Sequence, residues 1–325
     1  MADLEDTNIF PAKMMTVQFR ALKDYISRRN IETDLRQSMQ TSSFRQSSRY
    51  NRNEVEKWLI NGWNTENILI ASEHFFDDPE NSYAIQWVFP QAYYSCFCIT
   101  LAFFKTAGYT ENKHSSVIKK IGCLIKEGKY PNFISFYTDG GIYQISLSGV
   151  NKSPVESTVQ YNPDDESSMQ NQISQFLNAT RERDLKRKKK DMRIKTKQGN
   201  RKKSFNKQDW ETVSEKLGTT NILSLLYRKR IKFNYDNIET VFSRDLDAHA
   251  IYQSLLFLVS QINLIHESYI FNILEENEYN NIIASQGNRY EFIRYARKPQ
   301  AFKPGDEWHP GTKPVLAGAV EENQA

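Results

Sequence analysis

The sequence predicts a mostly α-helical bundle with a basic helical insertion, a short β-hairpin and a disordered C-terminal tail. Apolar residues recur at helical spacing in several segments, and the longest, Leu246 to Ile273, extends over about eight turns. Arg181 to Lys203 contains thirteen Lys or Arg and three Asp or Glu, so its net charge is +10. Because the whole chain carries +4, the remainder carries −6, and the basic character belongs to this one segment.

The composition favours a soluble protein with a sizeable core, because 39% of the residues are hydrophobic and the mean hydropathy is −0.65. Ser82 to Phe104 carries no charge and is long enough to cross a membrane, but Pro90 and Gln91 interrupt it. We therefore expect a buried helix and no membrane. Met1 to Ile9 is acidic and lacks the apolar stretch of a signal peptide, so we expect a cytoplasmic location.

The cysteines show no metal-ligand spacing. They are Cys96, Cys98 and Cys123, and the first two lie in an apolar run, which favours packing. The sequence also contains no zinc pattern and no glycine-rich phosphate loop. We therefore expect no metal and no other cofactor.

The N-terminal region, residues 1–48, begins with a predicted helix near Ala12 to Arg29. The polar run from Gln37 to Phe44 follows, and its composition predicts a flexible arm. Residues 49–150 are predicted to form the first half of the bundle. Its three helices end at turns or stop signals and are expected at Asn53 to Phe76, Pro90 to Lys105 and Asn112 to Lys126.

A charged insertion is predicted at residues 151–219, after a short strand at Ile142 to Leu147. It consists of a surface loop followed by two helices, which are expected at Met169 to Lys197 and Lys207 to Lys216. The second half of the bundle occupies residues 220–286. There the sequence predicts a helix at Ile222 to Arg230 and a long helix from Ser243, a good N-cap, to Glu276. Residues 287–325, interrupted by four prolines, form the predicted tail.

Two separated groups of residues carry a family resemblance. The first group is Ala92-Tyr93-Tyr94, Gly108 and Lys113-His114-Ser115-Ser116-Val117-Ile118. The second is Leu226-Tyr227, Arg230 and Asn234-Tyr235-Asp236. Their order resembles the minimal HEPN subgroup of prokaryotic toxin and defence proteins, over about Asn53 to Glu276. The resemblance implies a helical bundle, RNA as a partner, and a homodimer with its clefts at the two-fold axis.

HEPN ribonucleases use an Arg that is followed, after four to six residues, by a His. The Arg binds phosphate, and the His acts as acid or base on the 2′-hydroxyl. Arg230 stands at the position that the resemblance implies, but Tyr235 replaces the His, and a Tyr with a pKa of ~10 is a poor base at neutral pH. Arg244 and His249 form a second pair with the required spacing. Structural roles stay open for both pairs, and His114 either lines the cleft or is a hydrogen-bonded structural residue.

The basic segment predicts a nucleic-acid-binding surface, because several neutralised phosphates release counterions. The candidate binding residues are Lys186, Arg187, Lys188, Lys189, Lys190, Arg193, Arg201, Lys202 and Lys203. No aromatic residue interrupts the run, so the sequence does not predict base stacking there. A solvated helix is the alternative interpretation.

These features together predict an RNA-associated protein of a toxin–antitoxin or antiviral defence system, acting as a metal-independent endoribonuclease. The broad apolar face of the last helix predicts a homodimer. The alternative is a non-catalytic adaptor or scaffold whose bundle binds a protein partner such as a nucleotidyltransferase.

Overall fold

A computed structural model describes residues 2–76, 83–151, 160–194, 200, 202–233 and 246–286. Within these residues the chain forms nine α-helices and one two-stranded sheet, which confirms the mostly α-helical fold class and the short hairpin. The helices are α1 (Ala2–Ser27), α2 (Ile31–Ser42), α3 (Arg52–Ala71), α4 (Ile85–Ala107), α5 (His114–Lys126), α6 (Glu166–Asp191), α7 (Lys207–Leu217), α8 (Ile222–Ile231) and α9 (Ala248–Ala284). The strands are β1 (Tyr137–Asp139) and β2 (Ser146–Ser148). The predicted tail lies outside the described residues.

Three helices, α3, α4 and α9, form the centre of the bundle. α3 and α4 are antiparallel and close together, since a Cβ built on Gly62 would lie 2.4 Å from Cδ1 of Ile99. The Ser95 hydroxyl also donates to the Gly62 carbonyl at 3.1 Å. α9 runs parallel to α4, and the buried Asn263 amide donates to Ser95 Oγ at 2.9 Å and to Glu66 Oε2 at 2.7 Å. A side chain at Gly62 would therefore separate the central pair.

The predicted flexible arm is wrong, because residues 31–42 form helix α2. Asn30 caps this helix by accepting a hydrogen bond from the backbone N–H of Thr33 at 3.0 Å. Ile31 and Leu35 are buried one turn apart, and Phe44 beyond the helix packs on Phe103 with ring centroids 5.0 Å apart. These few apolar contacts order a segment whose polar composition alone favours mobility.

Two helix starts also differ from the prediction. α4 begins at Ile85, so Pro90 lies beyond the first turn, whereas the sequence predicted a start at the proline. α9 begins at Ala248, and Asp247 caps it by accepting from the Ala250 N–H at 2.9 Å. The predicted cap, Ser243, lies outside the described residues. α4 starts earlier than predicted because the residues before Pro90 pack in the core, and α9 starts at the nearer cap, Asp247.

The hairpin joins the two halves of the bundle. β1 pairs antiparallel with β2, with Thr138 opposite Leu147. The backbone of Thr138 also exchanges two hydrogen bonds of 2.9 Å with Thr220, just before α8. Asn221 then caps α8, as the sequence predicts. The start of α8 is thereby fixed beside the hairpin, and α8 is directed along α4.

A second, smaller core lies where the end of α6 meets α7. The first half of α6 packs in the main core through Met169, Ile173, Phe176 and Leu177. The second core is formed by Leu185, Met192, Phe205, Trp210 and Val213. We call the end of α6, the chain that follows it and α7 the α6–α7 lobe. The predicted insertion is therefore partly in the main core and partly in this lobe.

Two described helices are long and apolar enough to cross a membrane by length and composition. In Ile85–Ala107, 83% of the most apolar stretch is buried inside the protein, and in Ala248–Leu274 the buried share is 61%. Such burial is usual for core helices. The broad apolar face of α9 is thus covered largely by its own chain, through α1, α3 and α4. The feature on which the homodimer prediction rests has an intramolecular explanation.

Candidate nucleic-acid interface

The basic residues of the second half of α6 surround one cavity. α6 is capped at its start by Asp165, and its last turn carries Lys188, Lys189 and Lys190, where cations favour the helix dipole. After the helix, the Lys202 N–H donates to the Ile194 carbonyl at 2.8 Å. This contact places Lys202 and Lys203 beside the lysines of α6.

The cavity has a volume of about 730 Å³ and is lined by eight residues. They are Ile142, Lys186, Lys189, Lys190, Lys202, Lys203, Phe205 and Trp210, and we call the site the lysine cavity. Five of the predicted nucleic-acid-binding residues are among them, and no carboxylate is. The lining thus combines positive charge with an apolar side.

Aromatic rings form the apolar side of the lysine cavity, which the sequence did not predict. The rings of Phe205 and Trp210 meet edge to face with centroids 5.7 Å apart. Lys189 Nζ lies 4.7 Å from the Phe205 centroid and 5.3 Å from the Trp210 centroid. The basic run itself contains no aromatic residue, but Phe205 and Trp210, which follow it in sequence, supply two rings to the cavity.

The lysines of the cavity differ in their partners. Lys202 is paired with Asp209 at 2.8 Å, and its hydrogen bond lowers the pKa of that carboxyl group. Lys186 lies 3.5 Å from Glu182, in an exposed pair one turn apart on α6. Neither Lys189 nor Lys203 has an ion pair with a described carboxylate. These two ammonium groups are available to an anion without the loss of an existing salt bridge.

The other predicted binding residues lie near the cavity or outside the described part. Arg187 is exposed on α6, Lys188 is half-buried, and Arg193 is exposed just after the helix. Arg201 is outside the described residues. Arg181, the first basic residue of the run, is fully buried and holds the lobe together, so it is not part of the binding surface.

A second candidate site gathers the residues of the family resemblance, and we call it the tyrosine–histidine cluster. It consists of Tyr93 and Tyr94 on α4, His114 at the start of α5, and Tyr227 and Arg230 on α8. His114 Nδ1 is 2.9 Å from the Tyr93 hydroxyl, and its ring stacks on Tyr227 with centroids 5.5 Å apart. Burial and then the Arg230 charge lower the pKa of His114, so the imidazole is neutral at pH 7.

Arg230 lies against two rings of the same cluster. Its Cζ is 4.9 Å from the Tyr94 centroid and 5.8 Å from the Tyr227 centroid, and its guanidinium donates to the Tyr94 hydroxyl. The Nε atom of Arg230 is buried without a hydrogen-bond partner. His114 Nε2 likewise has no partner among the described residues. A neutral imidazole and a guanidinium thus lie beside the same tyrosines.

The two candidate sites meet at α6. Lys186, Lys189 and Lys190 line the lysine cavity, whereas Arg187, one residue further round the helix, lies with its Cζ 5.8 Å from the Tyr227 centroid. A polyanion that follows α6 would therefore reach both sites.

His249 is well separated from Arg230. It is exposed in the first turn of α9, where Gln253 Nε2 lies 2.8 Å from its Nε2. Asn263, which reaches Ser95 beside the cluster, is fourteen residues further along α9, or about 21 Å of helix. The other members of the two predicted catalytic pairs, Tyr235 and Arg244, lie outside the described residues. Of the four predicted catalytic residues, Arg230 is thus the one that lies in a described cluster.

Sequence reasoning treated His114 as a single residue with two interpretations, and the pairing with Arg230 was missed. The family-like order of the two motifs was the available signal, because it places both on helices that pack against α4. Among the described residues no group of three or more His, Cys, Asp or Glu could hold a metal ion. No protein-family description, curated protein or solved structure matches this chain.

Proposed function

We propose that this protein associates with RNA through the lysine cavity and the exposed basic end of α6. The observation that supports the proposal is that five lysines line one cavity. Their ammonium groups repel one another, and lysines that were merely solvated would point away from each other. An anion that bridges them relieves this repulsion and releases counterions. A toxin- or defence-type setting, the cytoplasm and a homodimer remain part of the proposal.

The test is a salt titration with a fluorescently labelled single-stranded RNA. Replacing Lys186, Lys190 and Lys203 with Gln removes three exposed rim charges. The slope of log affinity against log salt should then fall by about 2, since each single-strand phosphate contact contributes about 0.7. A matched control replaces the exposed Arg45, Arg49 and Lys57, which lie before or on α3, and should leave the slope unchanged. Equal effects of the two triple variants would contradict a localised interface.

A second candidate function is metal-independent RNA cleavage at the tyrosine–histidine cluster, supported by the position of His114 and Arg230 against the same tyrosine rings. His114 would accept the proton of the 2′-hydroxyl, whose oxygen attacks the adjacent phosphorus. The 5′-oxygen would leave with a proton taken from water, and the protonated His114 would return its proton to the solvent, giving a 2′,3′-cyclic phosphate and a 5′-hydroxyl. Arg230 would stabilise the charge on the phosphate.

Cleavage is tested in EDTA with end-labelled RNA. His114→Gln should lower the rate by ~10²–10⁴-fold, while His249→Gln serves as the matched histidine control on α9. RNA that is bound but stays intact with the wild-type protein would favour the alternative, a non-catalytic adaptor that presents RNA to a protein partner. Loss of cleavage in His249→Gln alone would return the role to the predicted pair with Arg244.

A further inference from the structure

We propose that the lysine cavity holds one unpaired base of a single-stranded nucleic acid, stacked on Phe205 and Trp210, while the surrounding lysines bind its flanking phosphates. This inference rests on the proposed association with RNA and deepens it. It specifies that the cavity binds a single strand in preference to a duplex, a selectivity that charge alone does not give.

The shape and lining of the cavity support this ligand class. A volume of about 730 Å³ is within the range of small-molecule sites and is large enough for one nucleotide. Its two aromatic rings and Ile142 form an apolar side, whereas five lysines supply the remaining lining. A phosphate alone would leave the rings unused, and an apolar ligand would leave the ammonium groups without an anion. A nucleotide has both parts, namely a planar base and a phosphate.

Duplex nucleic acid does not fit this site in the same way. Its bases are stacked on one another and its phosphates lie on the outside, so a duplex presents charge to the lysines and no free ring face to Phe205. An unpaired base can enter the cavity and stack. The same lysines therefore bind both forms, but the rings act on the single strand alone.

Lys189 is the residue that a stacked base would displace. Its ammonium lies over both rings, and both rings are buried, at 7% exposure for Phe205 and 6% for Trp210. The lysine side chain is long and has no ion pair with a described carboxylate, so it can turn toward a phosphate of the entering nucleotide. Base stacking on a ring is stronger than an exposed cation–π contact, which makes this exchange favourable.

The rings themselves are held in place by the lobe. Asn206 and Asp209 form a reciprocal capping box at the start of α7, and Lys202 is paired with the same carboxylate. On the other side Gly141 of the hairpin packs against Trp210, where a Cβ would lie 3.1 Å from the Trp210 Cβ. The aromatic side of the cavity is therefore pre-formed, and little ordering is needed when a base enters.

The experiment compares three probes on the full chain: single-stranded oligodeoxyadenylate, an abasic strand of the same length and charge, and the duplex of the oligodeoxyadenylate with oligothymidylate, which has two phosphate backbones. The oligodeoxyadenylate should bind about 5- to 150-fold more tightly than the abasic strand, the range expected for one stacked base. It should also quench Trp210 fluorescence, and this quenching should be absent in Trp210→Phe.

Phe205→Leu keeps an apolar side chain and removes one ring. It should reduce binding of the oligodeoxyadenylate toward that of the abasic strand and leave duplex binding unchanged. Because Phe205 is part of the lobe core, thermal unfolding of the variant is measured alongside. If the variant is unfolded, the comparison of the probes on the wild-type protein, with the fluorescence control Trp210→Phe, still tests whether a base stacks in the cavity.

The outcomes separate the two proposals. If all three probes bind equally and Trp210 is not quenched, the stacking inference is overturned while electrostatic association stands. If none of the probes nor single-stranded RNA binds, both proposals fail. Tighter binding of the abasic strand than of the oligodeoxyadenylate would also overturn the inference.

Discussion

His266 is a buried histidine whose two ring nitrogens are both engaged. Nε2 lies 2.7 Å from the Tyr130 hydroxyl, and Nδ1 lies 3.3 Å from Thr100 Oγ1. The Thr100 hydroxyl donates to the Cys96 carbonyl at 2.7 Å, so it accepts from Nδ1–H, and Nε2 accepts from Tyr130. Burial lowers the pKa of His266 to about 3, and the ring is neutral in the folded protein at ordinary pH.

This assignment predicts a loss of stability in acid. Because the pKa of His266 is lower in the folded than in the unfolded chain, the unfolded chain binds more protons as the pH falls below about 6.5. From pH 7 to pH 5 the free energy of unfolding should fall by about 2 kcal/mol through this residue. His266→Gln should remove that part of the pH dependence in urea titrations. An unchanged difference between pH 7 and pH 5 in the variant would contradict it.

At the scale of elements, Arg181 connects α6, the hairpin and α7. Its side chain is 0% exposed and donates to the Gly140 carbonyl at 2.9 Å, to Ser214 Oγ at 2.6 Å and to the Gly218 carbonyl. Burial lowers its pKa to about 10, against the opposing effect of Asp139, so the guanidinium stays charged at pH 7. One side chain on α6 thus satisfies polar groups in the hairpin and at the end of α7.

Arg181→Met should therefore cost about 3–5 kcal/mol, because it leaves two buried carbonyls and Ser214 Oγ without their donor, at about 1–3 kcal/mol for each unsatisfied group. Asp139 keeps its ion pair with Lys126 at 2.6 Å. Arg181→Lys should recover part of this loss, since an ammonium can still donate. Arg187→Met, on the exposed side of the same helix, is the matched control and should cost less than about 1 kcal/mol. Urea unfolding followed by Trp fluorescence measures all three. A cost for Arg181→Met equal to that of the control would show that the triple connection is not needed.

The same scale shows what local sequence signals could and could not predict. Apolar periodicity predicted α4, α5 and α9, because the apolar residues of each helix are the ones that become buried. Asn221 marked the start of α8. α2 was missed because its order depends on contacts with distant residues such as Tyr269, whose hydroxyl lies 3.2 Å from Ser38 Oγ. Phe205 and Trp210 could not be assigned to the basic surface, because their place depends on the contact between Lys202 and Ile194.

For the whole molecule, the homodimer prediction needs a surface other than α9. Four of the exposed large apolar side chains flank the α3–α4 connection. They are Ile68, Phe75, Tyr83 and Trp87, and Trp87 is 63% exposed. Exposed aromatic side chains near one another in sequence are typical of association surfaces. The predicted dimer would bury this end of the bundle.

Sedimentation equilibrium should give about twice the chain mass of 38.0 kDa for the wild-type protein. Phe75→Ser with Trp87→Ser should shift the mass toward that of the monomer, because the contact loses its largest apolar area. Tyr143→Ser, at an exposed position in the hairpin, is the control and should not change the mass. A wild-type mass of 38.0 kDa at every concentration would rule out the dimer.

The lobe's own core also forms the floor of the lysine cavity, since Phe205 and Trp210 belong to both. We expect a unit with so few buried side chains to open more often than the α4–α9 centre, so its amide protons should exchange faster with deuterium. A ligand that needs the intact cavity should bind the closed lobe and not the opened one. Its binding should therefore slow hydrogen exchange along α7 and leave the rates in α4 unchanged, even if no helix moves.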